Sequence, residues 1–163
     1  MIFSSELRAR AFTLLGELRA KGFRLATAES CTGGLIAGLF TEIAGSSDVF
    51  ERGFVTYSND AKHELLGVSK TLLEAHGAVS EEVAQAMALG ALKHAHADIV
   101  IAVTGIAGPG GATETKPIGL VHIALARKDG TAVHRVFEFG DIGRTEVRLA
   151  TLDAALNLLS ELV

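Results

Sequence analysis

A serine and a cysteine stand side by side in L-A-T-A-E-S-C-T-G-G, residues 25–34, where an apolar strand-like run gives way to two glycines and then a helical pattern. Ser30 would sit at the carboxyl end of that strand, which is where open α/β sheets bind ligands. Helix N-terminal N–H groups stabilise negative charge there, whether a phosphate or the oxyanion of a tetrahedral intermediate. Gly33 and Gly34 lack a Cβ and would let a ligand approach the backbone. The plainer alternative is that Ser30 or Thr32 caps the following helix and the glycines only tighten the turn. Cys31 is a rival nucleophile, because a thiol at a helix N-terminus can have a depressed pKa. However, the six histidines (63, 76, 94, 96, 122, 134) fall mostly in helical or hairpin segments. A buried structural thiol suits Cys31 better, and neither a serine–histidine–acid triad nor a zinc site has the required spacing.

A base for Ser30 is offered by F-V-T-Y-S-N-D-A-K-H, residues 54–63. Tyr57 ends a second strand, and Lys62 falls in the first turn of the next helix. The positive end of the helix dipole disfavours its charged form there, and partial burial acts the same way. A neutral lysine can activate a serine where no histidine is at hand. Alternatively, Lys62 is a solvated surface residue and Tyr57 a core ring. A third strand ends in V-T-G-I-A-G-P-G-G, residues 103–111. Thr104, Gly105 and Gly108 there could cradle a phosphate or sugar, or form only a flexible connection. The loop is neither a Walker A nor a dinucleotide fingerprint. Arg144, after G-D-I-G at the start of the last helix, could hold a phosphate by paired hydrogen bonds or lie on a solvated helix end.

The elements that must position these residues follow from periodicity and punctuation. A first helix capped by Ser5 carries Leu7, Ala11, Leu14, Leu15 and Leu18 on one face and ends near Gly22. Strands are expected at 23–28, at 50–57 with a break at Gly53, at 98–104, at 118–127 and at 131–139. Asp129-Gly130 marks a hairpin between the last two. Helices are expected over 35–43, 61–66, 70–76, 80–96 and 144–162, the fourth of them with small residues suited to close packing. Helices and strands alternate first and a hairpin comes late. This order predicts an α/β fold, a three-layer α/β/α sandwich with a mixed, largely parallel sheet, as a single domain over 1–163.

The chain has 163 residues, a net charge of −4, few aromatics and no Trp, so a nucleic-acid interface is not expected. One cysteine fits a reducing cytoplasm. No apolar run is long enough for a membrane span, and the first ten residues do not read as a secretory signal.

T-A-E-S-C-T-G-G, G-F-V-T-Y-S-N-D-A-K, H-G-A-V-S-E-E-V-A and V-T-G-I-A-G-P-G-G occur in that order. With them the chain resembles the C-terminal domain family of competence/damage-inducible proteins from about Gly22 to Leu158. The resemblance implies a three-layer α/β/α domain, usually a homodimer. It also implies hydrolysis of nicotinamide mononucleotide to nicotinic acid mononucleotide and ammonia, with no metal or cofactor. By the same resemblance Ser30 is the nucleophile, Tyr57 and Lys62 supply the base, and Thr104 matches the Ser/Thr before G-I-A-G-P. N–H groups from Cys31, Thr32, Gly33 and Gly34 would hold the oxyanion. Thr104, the loop from Gly105 through Gly108 to Gly111, and Arg144 would hold ribose and phosphate. The family often places an arginine directly after Gly-Asp. Here Ile142-Gly143 intervene, and Arg144 is the nearest match. A non-catalytic nucleotide-binding module and an amidase for another small amide are the competing expectations.

Overall fold

The computed structural model describes residues 2–163. In chain order the elements are α1 (Ser5–Ala20), β1 (Leu25–Glu29), α2 (Leu35–Thr41), β2 (Phe50–Val55), α3 (Asn59–Leu66), α4 (Lys70–His76), α5 (Glu81–His94), β3 (Ile99–Gly105), β4 (Leu120–Arg127), β5 (Ala132–Glu138) and α6 (Arg144–Leu162). Side-chain hydroxyls start four of the helices. Ser4, rather than the expected Ser5, accepts from Leu7 N, and Ser58, Ser69 and Ser80 cap α3, α4 and α5.

The sheet runs β2-β1-β3-β4-β5. β1 is parallel to both β2 and β3, while β4 is antiparallel to β3 and β5. Thus β4 alone opposes the other four strands. Successive strand residues point to opposite faces, and residue size differs between those faces. Leu25, Ile99, Ile101, Val103, Val121, Ile123 and Leu125 pack with residues of α1, α2 and α6. Ala26, Ala28, Val100, Ala102, Ala124 and Ala126 pack instead with residues of α3, α4 and α5. The alanine face lets the small-residue helix α5 settle close to the sheet. A Cβ at Gly90 of α5 would stand 1.9 Å from the Leu66 carbonyl oxygen, so α3 lies against α5 where α5 has no side chain.

The result is the helix–sheet–helix sandwich expected from element order. Gly53 does not break β2, which continues to Val55. A Cβ there would lie 2.9 Å from Thr27 Oγ1 and 3.2 Å from Ala37 Cβ, so Gly53 makes room for α2 on the sheet. No helix among the described residues is long and apolar enough to cross a membrane.

Candidate active site

The same two-residue period decides what surrounds Ser30. Ala26 and Ala28 face the α3–α5 layer, and Ser30 continues their side of the strand. Its N–H donates to the Val103 carbonyl (3.1 Å), which pins the serine to the end of β3. Thr27 and Glu29 point the other way, toward α2.

Lys62 enters from α3. Its side chain is 1% exposed, and Nζ lies 3.0 Å from Ser30 Oγ and 2.7 Å from the Thr56 carbonyl oxygen, to which it donates. Burial pulls its pKa from 10.5 down to about 8, and the neighbouring Cys31 opposes this only in part. The surface alternative for Lys62 is therefore overturned. Cys31 is also buried, and loss of solvation pushes its thiol up to about 11. Burial thus works against a reactive thiolate at Cys31, in line with a structural thiol.

Ser30, Cys31 and Lys62 form the floor of a cleft of about 280 Å³. Its walls come from Tyr57, Ala78-Val79, the Thr104–Gly111 loop and Arg144. Gly105 and Gly108 are among the lining residues, as expected. No carboxylate and no histidine is among them, and the charged groups facing the space are Lys62 and Arg144. The Thr104 hydroxyl donates to the Ala78 carbonyl (2.8 Å) and so ties the glycine loop to the α4–α5 connection.

Tyr57 is not the core ring of one reading, since it is 62% exposed. Its hydroxyl accepts from Arg144 Nη2 (2.9 Å) rather than joining the Ser30–Lys62 pair, and Arg144 Nη1 donates to the Gly108 carbonyl (2.8 Å). Tyr57 and Arg144 thus form the mouth, and the serine–lysine pair forms the floor.

The expected roles of residues 32–34 change. Thr32, Gly33 and Gly34 are not among the cleft residues, and neither Ser30 nor Thr32 caps α2. The cap is Glu29, fully buried: Oε1 accepts from Ile36 N (2.8 Å) and the Thr32 hydroxyl (2.7 Å), and Oε2 from Ala37 N (3.0 Å) and the Thr27 hydroxyl (3.2 Å). Gly33 and Gly34, at φ +59° and +97°, make the left-handed reversal from β1 into α2. From the other side, Arg148 of α6 donates to the Cys31 carbonyl (Nε, 3.0 Å) and the Thr32 carbonyl (Nη2, 3.1 Å). Sequence reasoning gave no role to Glu29, Ala78-Val79 or Arg148. A carboxylate directly after an apolar run was the one available signal, because a buried charge must find donors. Arg148 also lies one helical turn beyond Arg144.

Comparisons with known proteins identify the family of this fold. A profile of the CinA C-terminal domain matches residues 8–163. The nicotinamide-nucleotide amidohydrolase PncC of Enterobacter agglomerans is 57% identical over 133 residues, 81% of this chain and 80% of that one. A CinA-like protein of Chlorobium phaeovibrioides is 52% identical over 155 residues, 91% of this chain but 36% of its own length. The chain likewise spans about a third of the competence-damage inducible relatives from Caldicellulosiruptor that it matches. The crystal structure of competence/damage inducible protein CihA from Agrobacterium tumefaciens superposes with a TM-score of 0.96 at 51% identity, covering 98% of this chain and 97% of that one.

Proposed function

The chain belongs to the CinA C-terminal domain family, and on that premise we propose that it hydrolyses the carboxamide of nicotinamide mononucleotide through a serine–lysine pair. The observation that carries the reading is the buried 3.0 Å contact between Ser30 Oγ and Lys62 Nζ. The relative from Enterobacter, named for this activity, covers most of the chain at 57% identity.

The chemistry follows from Lys62 as a neutral amine. One N–H stays on the Thr56 carbonyl, and the lone pair accepts the Ser30 proton. Oγ attacks the carboxamide carbon, and the electron pair of the C=O bond moves to oxygen. A backbone N–H beside Ser30 receives that oxyanion. The Gly33 N–H is already held by the Ser30 carbonyl, those of Ile36 and Ala37 by Glu29, and Thr32 and Gly34 do not line the cleft, which leaves the Cys31 N–H, next to the nucleophile, as the donor of this turn. Collapse of the intermediate breaks the C–N bond while the Lys62 ammonium returns its proton, and ammonia leaves. Water then attacks the acyl-enzyme, passes a proton to Lys62 and frees the carboxylate product and Ser30. The direct contact favours transfer without a Tyr57 relay. We assign Tyr57 to holding Arg144, whose guanidinium at the mouth suits the phosphate of the substrate.

A lone, buried cysteine accords with work in the reducing cytoplasm. Homodimerisation rests on the family resemblance alone. The test is ammonia release from nicotinamide mononucleotide, compared with its riboside and free nicotinamide. Turnover of the nucleotide well above the other two supports the reading. Binding without turnover would make the chain a nucleotide-binding module, and preference for free nicotinamide would make it a different amidase.

A further inference from the structure

We infer that Glu29 and Arg148 are paired positioning residues, which hold the Ser30 turn between the sheet and α6 and so fix the cleft-lining Cys31 peptide, next to the nucleophile, as the oxyanion donor. The inference rests on the serine–lysine reading above and adds to it the residues that set its geometry.

Three observations converge. First, Arg148 takes the carbonyl oxygens of two consecutive peptides, Cys31 and Thr32. In a planar trans peptide the C=O and the following N–H point in opposite directions. Holding the Thr32 carbonyl toward α6 therefore directs the Gly33 N–H away from α6, and that N–H does reach the Ser30 carbonyl at 3.0 Å. The Ser30 carbonyl, so held, fixes the peptide that carries the Cys31 N–H.

Second, Glu29 occupies the donors that would otherwise compete. Each of its oxygens accepts one backbone N–H of α2 and one threonine hydroxyl. The start of α2 is thereby satisfied internally, and the Thr32 side chain is turned away from the cleft. Third, Gly33 is shaped for the arginine. A Cβ at Gly33 would come within 3.3 Å of Arg148 Nη2 at a backbone φ of +59°. The loop thus gives up a side chain where the guanidinium passes.

Neither Glu29 nor Arg148 lines the cleft, so both act through the turn that carries Ser30. Loss of one oxyanion donor typically lowers turnover by about 10²–10³-fold. Arg148→Met keeps the aliphatic stem and removes both hydrogen bonds. The expected result is a kcat lower by about 30-fold or more, with KM changed by less than about 3-fold because the cleft walls are untouched. Arg148→Lys, which keeps one donor, should recover part of the loss. Glu29→Gln places an amide N–H against a backbone N–H whichever way it turns, and it should lower kcat similarly if it folds.

The second readout is the rate at which a serine-directed fluorophosphonate labels Ser30, located by peptide mass spectrometry and normalised to folded protein. Labelling of Arg148→Met should slow by at least about 10-fold, since phosphonylation also develops an oxyanion. Wild-type kcat and labelling rate in Arg148→Met would overturn the inference, as would a loss confined to KM or to the folded fraction. If the wild type releases no ammonia from the nucleotide yet is labelled at Ser30, the substrate assignment fails while the labelling comparison still decides the role of Arg148.

Discussion

Lys62 Nζ and Ser30 Oγ, 3.0 Å apart and both buried, come from segments 32 residues apart in the chain. α3 delivers the amine to the end of β1, and the Thr56 carbonyl holds it there at 2.7 Å.

Ser30→Ala removes the nucleophile and leaves a methyl group in its place. Ammonia release from nicotinamide mononucleotide should fall by at least about 10³-fold, with the circular dichroism spectrum unchanged. Wild-type turnover in this variant would exclude Ser30 as the attacking group.

With Lys62 near pH 8, kcat/KM should rise as pH increases through about 8, because only the neutral amine accepts the serine proton. Stability should move the same way. The unfolded lysine titrates near 10.5 and the folded one near 8, so between those values the unfolded chain binds more protons and stability climbs with pH. Below about 8 the full penalty applies, on the order of 3 kcal/mol. Lys62→Met should abolish turnover and flatten the dependence of Tm on pH between 8 and 10, as measured by calorimetry across that range.

Cys31 gives a contrasting expectation. A buried thiol with its pKa raised to about 11 should resist iodoacetamide in the native protein at pH 7.5 and react once denatured. Cys31→Ala should keep turnover within about 10-fold of wild type, since it removes no reacting group. An inactive Cys31→Ala that remains folded would point to thiol chemistry.

Gly90→Ala tests how α3 is seated. The added carbon would lie 1.9 Å from the Leu66 carbonyl oxygen, which is backbone and cannot turn aside. Stability should drop by about 1–3 kcal/mol or more, read from urea unfolding, and turnover should fall too because α3 carries Lys62.

Arg144→Ala should raise KM for the nucleotide by about 10-fold or more while changing turnover of the riboside little, as expected for loss of a charge-assisted phosphate contact. Steady-state kinetics with both substrates checks this. Equal effects on the two would assign Arg144 to shaping the Gly108 loop.

Much of this layout could be read from residue types. The Asp129-Gly130 hairpin and the apolar run 99–103 act locally and appear where periodicity and punctuation put them, while the cap of α1 falls one residue earlier, on Ser4. Lys62 is ambiguous in sequence because its burial depends on how α3 is seated, and α3 meets α5 at Gly90, which no short window connects to Lys62. The capping of α2 was misread for the same reason. A nearby hydroxyl is the usual cap, but the buried Glu29 reaches seven and eight residues along the chain and displaces it. Gly53 was read as a strand break because its packing against Thr27 and Ala37 is invisible in one dimension.

The cleft bears the Arg144 guanidinium, the basic Lys62 and no acidic side chain, on a molecule whose formal charge is −4. It is a local basic centre on a chain whose net charge is negative. Long-range attraction for the tail of an approaching anion is therefore strongest near this opening. Capture should weaken as added salt shortens the Debye length below about 10 Å, so ionic strength would separate how the substrate arrives from how it is cut.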